Sequence, residues 1–350
     1  MKKLISLILC CALVLALAGC AGTTVVVGEC TCPPEAHTPA AAPTEAPAAP
    51  TEAPAAPAAP AAGALKTGLA VLPNLSKSVA TTAEAEGKAE YDVTVVAVTV
   101  DENGVIQNCV IDSLGATVPF SATGKTEVQT KNELGFDYGM VKYNASPIGK
   151  EWFEQAAALA QFAVGKTVDQ VKGNYSSDVD LATSATIYLG GYVGGIEAAA
   201  ANAKDLGAVS GDELKLVITA STTAEAGKIQ LDLDAAAVTL KGETVTSATI
   251  DSLQAPVTFD EAGAITSELT AKTKNELGFD YGMVAYKASA IGKEWFEQVE
   301  YFCDYITGKT LTEVATIAVD EGTKTTDVDL ATGCTIAIGG LQGLIAKAAG

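Results

Sequence analysis

An internal repeat constrains this chain more than any other feature of its sequence. Five blocks recur in the same order: residues 111–114 as 250–253, 130–141 as 273–284, 148–155 as 291–298, 165–167 as 308–310, and 178–183 as 327–332. The longest of them, TKNELGFDYGMV, recurs without a change. Blocks that return in one order indicate a duplicated unit. We place the copies at residues 65–207 (the first repeat) and 208–350 (the second repeat).

Within each repeat the pattern predicts strands first and helices later. Residues 91–100 alternate and are rich in Val and Thr, residues 101–104 (DENG) are a turn signal, and residues 105–114 return as a second strand. An earlier strand is predicted over residues 65–75. The second repeat shows a matching strand over residues 214–220 and a hairpin around Lys241-Gly242-Glu243.

Helices are predicted in the later part of each repeat. Ser146-Pro147 is typical of a helix start, with serine as the cap and proline in the first turn. In the second repeat Ile291, Trp295, Val299, Phe302 and Ile306 form one apolar stripe at helical spacing. Trp152 and Trp295 are therefore expected to be core anchors, with contact to a ligand as the alternative. Closing helices are predicted over residues 187–203 and 336–349, so the fold class is α+β: two tandem copies of one small domain, with antiparallel hairpins packed against helices.

The amino-terminal segment predicts export and lipidation. Two lysines precede an apolar run from Leu4 to Ala18, which is shorter than the roughly 20 residues of a spanning helix. The run ends in Leu-Ala-Gly-Cys, which resembles a bacterial lipobox. We expect residues 1–19 to be a lipoprotein signal peptide and Cys20 to carry the lipids. The alternative is an ordinary signal peptide followed by a chance cysteine.

Residues 20–64 are predicted to form a disordered stalk. Residues 33–62 are almost wholly Ala, Pro, Thr and Glu, so they cannot bury apolar surface. At about 3.1 Å per residue they would reach roughly 90 Å in an extended state. Such a spacer would hold the repeats away from a membrane.

Composition excludes several classes of function. The net charge of -20 argues against binding nucleic acid or lying on an anionic membrane surface. The one histidine, His37, lies in the predicted stalk, so neither repeat can hold a Ser-His-Asp triad, a Cys-His pair or a histidine metal site. No catalytic residue and no metal ligand is therefore assigned.

The remaining cysteines do not suggest a disulfide framework. Cys109, Cys303 and Cys334 have no cysteine at the equivalent place in the other repeat, and we expect each to be a small apolar core residue. Cys30 and Cys32 flank one threonine before the stalk. They are compatible with a strained local disulfide, a metal site or an unimportant membrane-proximal pair.

Each repeat ends with a short motif before its closing helix. Residues 180–186 read DLATSAT and residues 329–335 read DLATGCT. Both resemble the flavinylation motif of the FMN-binding domain family, which is Asp, two residues, Ser or Thr, then Gly, Ala, Thr. The resemblance implies that a flavin transferase joins the FMN phosphate to the final threonine, here Thr186 and Thr335. It also implies cofactor-site roles for Asp180, Asp329, Thr183, Thr332 and Gly333.

Each motif departs from the family pattern once. Ser184 stands where glycine is expected and Cys334 where alanine is expected. Glycine is needed where the backbone takes positive φ or passes close to a ligand, so Thr335 is the better candidate and Thr186 the weaker one. The alternative is that both threonines only cap the closing helices.

Two further repeated motifs bear on ligand binding. Tyr138 and Tyr281, in the repeated Gly-Phe-Asp-Tyr-Gly loop, are expected to approach a ligand, although the loop is also an ordinary turn. The Gly-Lys-Thr triplets lack the upstream glycine of a phosphate loop, since residue 119 is proline, so nucleoside triphosphate binding is rejected.

Together these features resemble the two-domain flavinylated lipoproteins of Gram-positive extracellular electron transfer. The resemblance implies a lipid-anchored protein on the outer face of the cell membrane. Covalent FMN would relay electrons from a membrane NADH or quinone oxidoreductase to external acceptors, so the protein would be a carrier more than an enzyme. The alternative is a non-redox surface lipoprotein that binds a ligand or protein on degenerate copies of the same fold.

Overall fold

The computed structural model of the chain describes residues 63–350. The predicted signal peptide, the lipidation site at Cys20 and the predicted stalk as far as residue 62 lie outside the described residues. The described residues belong to one compact unit, so the two repeats are packed together.

The elements follow the same order in the two repeats, with strands before helices. The strands are Ala64–Asn74 (β1), Lys88–Val100 (β2), Ile106–Pro119 (β3), Gly124–Glu127 (β4), Lys204–Val209 (β5), Glu213–Glu225 (β6), Lys228–Lys241 (β7) and Thr244–Thr258 (β8). The helices are Lys131–Leu134 (α1), Trp152–Ala163 (α2), Val168–Asn174 (α3), Val179–Ser184 (α4), Gly190–Ala201 (α5), Lys274–Leu277 (α6), Trp295–Ile306 (α7), Leu311–Ala315 (α8), Val328–Ala331 (α9) and Gly339–Ala346 (α10). The described residues therefore form a mixed α+β fold, which confirms the predicted fold class at that level.

Two antiparallel four-stranded sheets organise these elements. Their strand orders are β3-β2-β1-β5 and β4-β6-β7-β8. The short strand β4 follows β3 of the first repeat but pairs with β6 of the second, with Gly124 opposite Ala224. The strand β5 precedes β6 but pairs with β1 of the first repeat. Each sheet thus contains a strand from beyond its own three-stranded meander.

The long strands are largely apolar on both faces in their central parts, because both faces are covered there. In β2, Tyr91, Val93 and Val95 face the other sheet, whereas Val96 and Val98 face the helices of the first repeat. This follows from the two-residue period of a strand. The layers run helices, sheet, sheet, helices, with one hydrophobic core between the sheets and one between each sheet and its helices.

Polar and aromatic contacts also cross between the sheets. The buried Tyr91 hydroxyl donates to the Ile229 carbonyl at 3.0 Å. Thr67 Oγ1 and Ser247 Oγ lie 2.7 Å apart, and Phe120 stacks on Phe259 with ring centroids 3.8 Å apart. A buried hydroxyl needs such a partner, so these contacts fix how the two sheets meet.

The strand predictions are confirmed, and the helix boundaries are corrected in part. The turn at residues 101–104 is present, with Asp101 Oδ1 accepting from the Asn103 and Val105 amides at 2.9 Å each. The helix expected to start at Ser146-Pro147 begins instead at Trp152, where the Glu151 amide donates to the Glu154 carboxylate at 2.8 Å. Since that reciprocal contact satisfies the first turn, Ser146 lies in the preceding turn.

The predicted core anchors are buried. Trp152 and Trp295 are 2% and 6% exposed, and Val299, Phe302 and Ile306 complete the stripe on α7. Ile291 lies before that helix rather than on it. Cys303 and Cys334 are buried in the core of the second repeat, as expected, whereas Cys109 is only half-buried.

Candidate functional site

A buried glutamine holds each predicted acceptor threonine. In the first repeat Gln155 Oε1 accepts from the Thr186 amide at 2.7 Å, the Thr186 hydroxyl at 3.2 Å and the Ile187 amide at 3.2 Å. Gln155 Nε2 donates to the Lys150 carbonyl at 3.0 Å. Gln155 is fully buried in the first turn of α2, while Thr186 is exposed. The side-chain amide therefore fixes both the backbone and the hydroxyl of the threonine.

The second repeat reproduces this arrangement. Gln298 Oε1 accepts from the Thr335 amide at 2.8 Å and from its hydroxyl at 3.1 Å. Gln298 Nε2 donates to the Lys293 carbonyl at 2.9 Å. Gln298 is also fully buried and Thr335 is half-buried. The sequence reasoning missed both glutamines, although each closes a repeated block.

The threonines are not helix caps. The closing helices α5 and α10 begin at Gly190 and Gly339, with Leu189 and Ile338 at the N-cap positions and no side-chain cap. These starts correct the expected starts at residues 187 and 336, and the capping alternative is wrong. The threonines instead lie in the short connection before the helices. Their amides and hydroxyls donate hydrogen bonds to the glutamine side chains.

The acidic and hydroxyl residues of the motif lie on the short helices α4 and α9. Asp180 and Asp329 are exposed in the first turns, and the hydroxyls of Thr183 and Thr332 donate back to their carbonyls at 2.9 and 2.7 Å. These four side chains therefore lie on the surface, three to six residues before the predicted acceptors Thr186 and Thr335.

Gly333 has a packing role. A Cβ built on it would lie 2.3 Å from the ring of Tyr301 on α7, and its φ is outside the left-handed region. The position of Tyr301 in the repeated helix is taken by Ala158 in the first repeat. Positive φ is thus not the reason for glycine at this position, whereas the close contact with the Tyr301 ring requires it. Ser184 faces no equivalent ring, so it does not disqualify Thr186.

Tyr138 lies in a cavity beside Thr186. The cavity has a volume of about 640 Å³, inside the range of roughly 300–1,000 Å³ that is typical of small-molecule sites. Its lining includes Ile187 and Tyr188, which directly follow Thr186. The aromatic and cationic lining residues are Tyr138, Tyr143, Trp152, Tyr188, Tyr192, Lys77 and Lys131.

The cavity has polar groups at fixed places among its aromatic walls. Trp152 Nε1 donates to the Tyr192 hydroxyl at 3.0 Å. The Lys131 ammonium lies 5.1 Å from the Trp152 ring centroid and 5.4 Å from that of Tyr138, within cation–π range. Burial lowers the pKa of Lys131, and Asp92 and Asp112 oppose that shift. Burial also raises the pKa of Tyr138.

Two buried carboxylates hold the repeated loop against the helix and sheet. Glu151 accepts from the Met140 and Val141 amides at 2.7 and 3.0 Å, which ties the loop after Tyr138 to the start of α2. Asp112 accepts from the Ser113 amide at 2.7 Å and the Asn132 amide at 3.1 Å. Burial raises the pKa of Asp112 to about 6, against hydrogen bonds that lower it. The same contacts recur at Glu294 and Asp251.

Tyr281 occupies the corresponding place in the second repeat with different neighbours. Lys274 lies 5.2 Å from the Tyr281 ring centroid and 4.8 Å from that of Trp295. The Tyr281 hydroxyl donates to Gln254 Oε1 at 3.3 Å. The positions of Tyr188 and Tyr192 are taken by Ala337 and Leu341. Two aromatic walls of the first cavity thus have no aromatic counterpart in the second repeat.

Three further observations concern metal sites, membrane-spanning helices and a second cavity in residues 63–350. No group of three or more His, Cys, Asp or Glu residues in this range is arranged to hold a metal ion. None of its helices is both long and apolar enough to cross a membrane. A cavity of about 790 Å³ lies between the repeats, lined by residues including Lys204, Phe279 and Glu300. It does not include the predicted site residues.

Comparison of the chain with family models, with curated proteins and with solved structures finds no match.

Proposed function

We propose that this protein is a membrane-anchored extracellular flavoprotein that carries covalently bound FMN and relays electrons. One observation supports it above the others. In both repeats a buried glutamine holds the threonine that the motif assigns as the acceptor, with its hydroxyl at 3.1–3.2 Å from the amide oxygen. Because neither threonine caps a closing helix, a structural capping role does not account for this arrangement.

The residues beside Thr186 fit an FMN group. A cavity with Trp152, Tyr138, Tyr188 and Tyr192 in its walls offers stacking partners for a planar ring system. The exposed Thr186 hydroxyl lies next to two lining residues, so a phosphate on it would leave the ring within reach of these walls. When bound, the flavin would supply the redox chemistry.

Within this proposal we rank Thr186 above Thr335, the opposite of the order that the sequence alone favours. The sequence favours Thr335 because its motif keeps the glycine. The geometry favours Thr186, because Gly333 serves the Tyr301 contact and the aromatic cavity lies on the Thr186 side. We propose attachment at both sites.

The attachment is a phosphoryl transfer from a flavin dinucleotide. The threonine Oγ1 forms an ester bond to the FMN phosphorus, the bond to adenylate breaks, and the hydroxyl proton leaves with the adenylate. Before the transfer, Gln155 and Gln298 accept hydrogen bonds from the threonine hydroxyls, which still carry their protons. The proton therefore points at the glutamine, and an Oγ1 lone pair is free for attack by way of the flavin transferase.

The rest of the proposal concerns placement in the cell. The sequence favours a signal peptide over residues 1–19, a lipid anchor at Cys20 and a stalk over residues 20–64. The repeats, residues 65–207 and 208–350, would be two tandem FMN-binding-like domains that share the core between the sheets. Electrons would come from a membrane NADH or quinone oxidoreductase and leave to an external acceptor.

Co-expression of the full chain with a flavin transferase tests the proposal. We expect a band that fluoresces on a denaturing gel, and an intact mass increased by one FMN less one water at each site. Thr186→Ala and Thr335→Ala should each remove one increment, and the double variant both. Thr312→Ala, at an exposed threonine on α8 outside the motifs, is the matched control and should keep both. A chain without added mass would refute the proposal and favour the non-redox binding alternative.

A further inference from the structure

The two proposed flavin sites have surroundings of opposite charge. Around the Thr186 site, Lys77 and Lys131 line the cavity with one carboxylate, Asp92. Lys77 Nζ bonds Asp92 Oδ2 at 2.5 Å, so that carboxylate is neutralised. Lys131 remains as a half-buried cation against the aromatic walls.

The second repeat carries more negative charge at the equivalent positions. Asp92 and Asp232 occupy equivalent positions in the two repeats: Asp92 lies opposite Gly115 in the β2–β3 register, and Asp232 lies opposite Gln254 in the β7–β8 register. By the same registers Asp234 replaces Thr94. Lys77 lies in the turn after β1, whereas β6 continues as a strand to Glu225, so no lysine of the second repeat stands in its place.

Asp232 and Asp234 face the helix layer that carries Thr335. They alternate along β7 with Leu231 and Leu233, which lie in the core between the sheets. Gln254 Nε2 donates to Asp232 at 3.4 Å, and Gln254 Oε1 accepts from Tyr281 at 3.3 Å. Over the described residues, neither aspartate forms a salt bridge. At the positions compared, the second repeat therefore has one lysine, Lys274, and two carboxylates.

We propose that these charges set two different reduction potentials, higher at the Thr186 site than at the Thr335 site. The inference rests on the proposed function. Reduction would add negative charge near a flavin ring, which Lys131 would stabilise while Lys77 offsets Asp92, and which Asp232 and Asp234 would oppose. This order of potentials would favour electron transfer from a flavin on Thr335, which would be oxidised, to a flavin on Thr186, which would be reduced, with protons exchanged through solvent. The second repeat would then be the entry point and the first repeat the exit.

Spectroelectrochemical titration of single-site proteins tests this ordering. The full chain is flavinylated in the Thr335→Ala background, which reports the Thr186 site, and in the Thr186→Ala background, which reports the Thr335 site. We expect the first to have the higher midpoint potential. In the same backgrounds, Lys77→Ala should lower the midpoint at the Thr186 site, and Asp234→Thr should raise it at the Thr335 site.

Matched charge changes far from the sites serve as controls. Lys66→Ala removes an exposed lysine at the opposite end of β1, and Glu102→Gln removes an exposed carboxylate in the 101–104 turn. Both should leave the midpoints unchanged.

The outcomes separate the inference from the proposed function. Equal or reversed potentials, or midpoints insensitive to Lys77→Ala and Asp234→Thr, overturn the inference while the flavoprotein stands. If only one site is flavinylated, the shift in midpoint potential caused by the charge variant at that site tests the inference. An intact mass without flavin at either site overturns the proposed function and this inference with it.

Discussion

Replacing Gln298 with leucine should destabilise the protein through two unpaired backbone groups. Leucine has a similar volume, so the packing term is small. The Thr335 amide, now 2.8 Å from Gln298 Oε1, loses its acceptor, and the Lys293 carbonyl loses its donor. An unsatisfied buried group costs about 1–3 kcal/mol. Because both groups lie in partly buried surroundings, the lower half of that range applies, and the free energy of unfolding should fall by about 2–4 kcal/mol.

Urea unfolding of the full chain, followed by tryptophan fluorescence, measures this change. The matched control is Gln107→Leu, which removes an exposed glutamine with one hydrogen bond to Asp101. Its effect should stay within about 0.5 kcal/mol, as for most surface substitutions.

Function provides a second measurement on the same variant. With Thr335 released, flavin attachment at that site should fall while attachment at Thr186 is kept. A Gln298→Leu protein that unfolds within about 0.5 kcal/mol of the parent, and that is still flavinylated at Thr335, would show that the glutamine does not hold the threonine.

Three further predictions concern packing and pH. Gly333→Ala should cost about 1–3 kcal/mol by overpacking against the Tyr301 ring, and in a Tyr301→Ala background the same change should cost almost nothing in urea unfolding. Burial raises the pKa of Asp112 to about 6 from 3.8. The folded state therefore holds this proton more tightly, and stability falls as pH rises from about 4 through about 6. Asp112→Asn should remove the part of that dependence due to Asp112 and leave the part due to Asp251, whose pKa burial raises in the same way, so the variant should gain roughly 2–3 kcal/mol relative to the parent between pH 4 and pH 7. Leu231→Ala, in the core between the sheets, should cost about 2–5 kcal/mol, and single-tryptophan proteins should show the same midpoint shift in both repeats; a shift confined to the second repeat would show that the core is not shared.

Local patterns were sufficient to predict the three long strands of each repeat and the apolar stripe, but not the short strands β4 and β5. The alternation in β2 and the turn at residues 101–104 depend on neighbours in the chain, and both are present. The stripe from Trp295 to Ile306 follows from the helical period. Helix starts were harder to predict, because Ser146-Pro147 and Glu151 both offer capping chemistry and only the folded contacts select Glu151.

The non-local features could not be read from the sequence. The pairing of β4 with β6 and of β5 with β1 joins strands that are distant in the sequence, which a local pattern does not encode. The role of Gln155 depends on Thr186, which approaches it only in the fold. The repeat itself was a usable signal, since both glutamines close an identical block. The contact between Gly333 and Tyr301 likewise required the packing of α7 against α9.

Peptide mapping of the flavinylated full chain tests the central claim most directly. After co-expression with a flavin transferase and proteolysis, mass spectrometry with fragmentation locates the modified residue. We predict FMN on the hydroxyls held by the buried glutamines, at Thr186 and Thr335. Flavin on Thr183 or Thr332 instead, or the absence of any flavin peptide, would contradict the account.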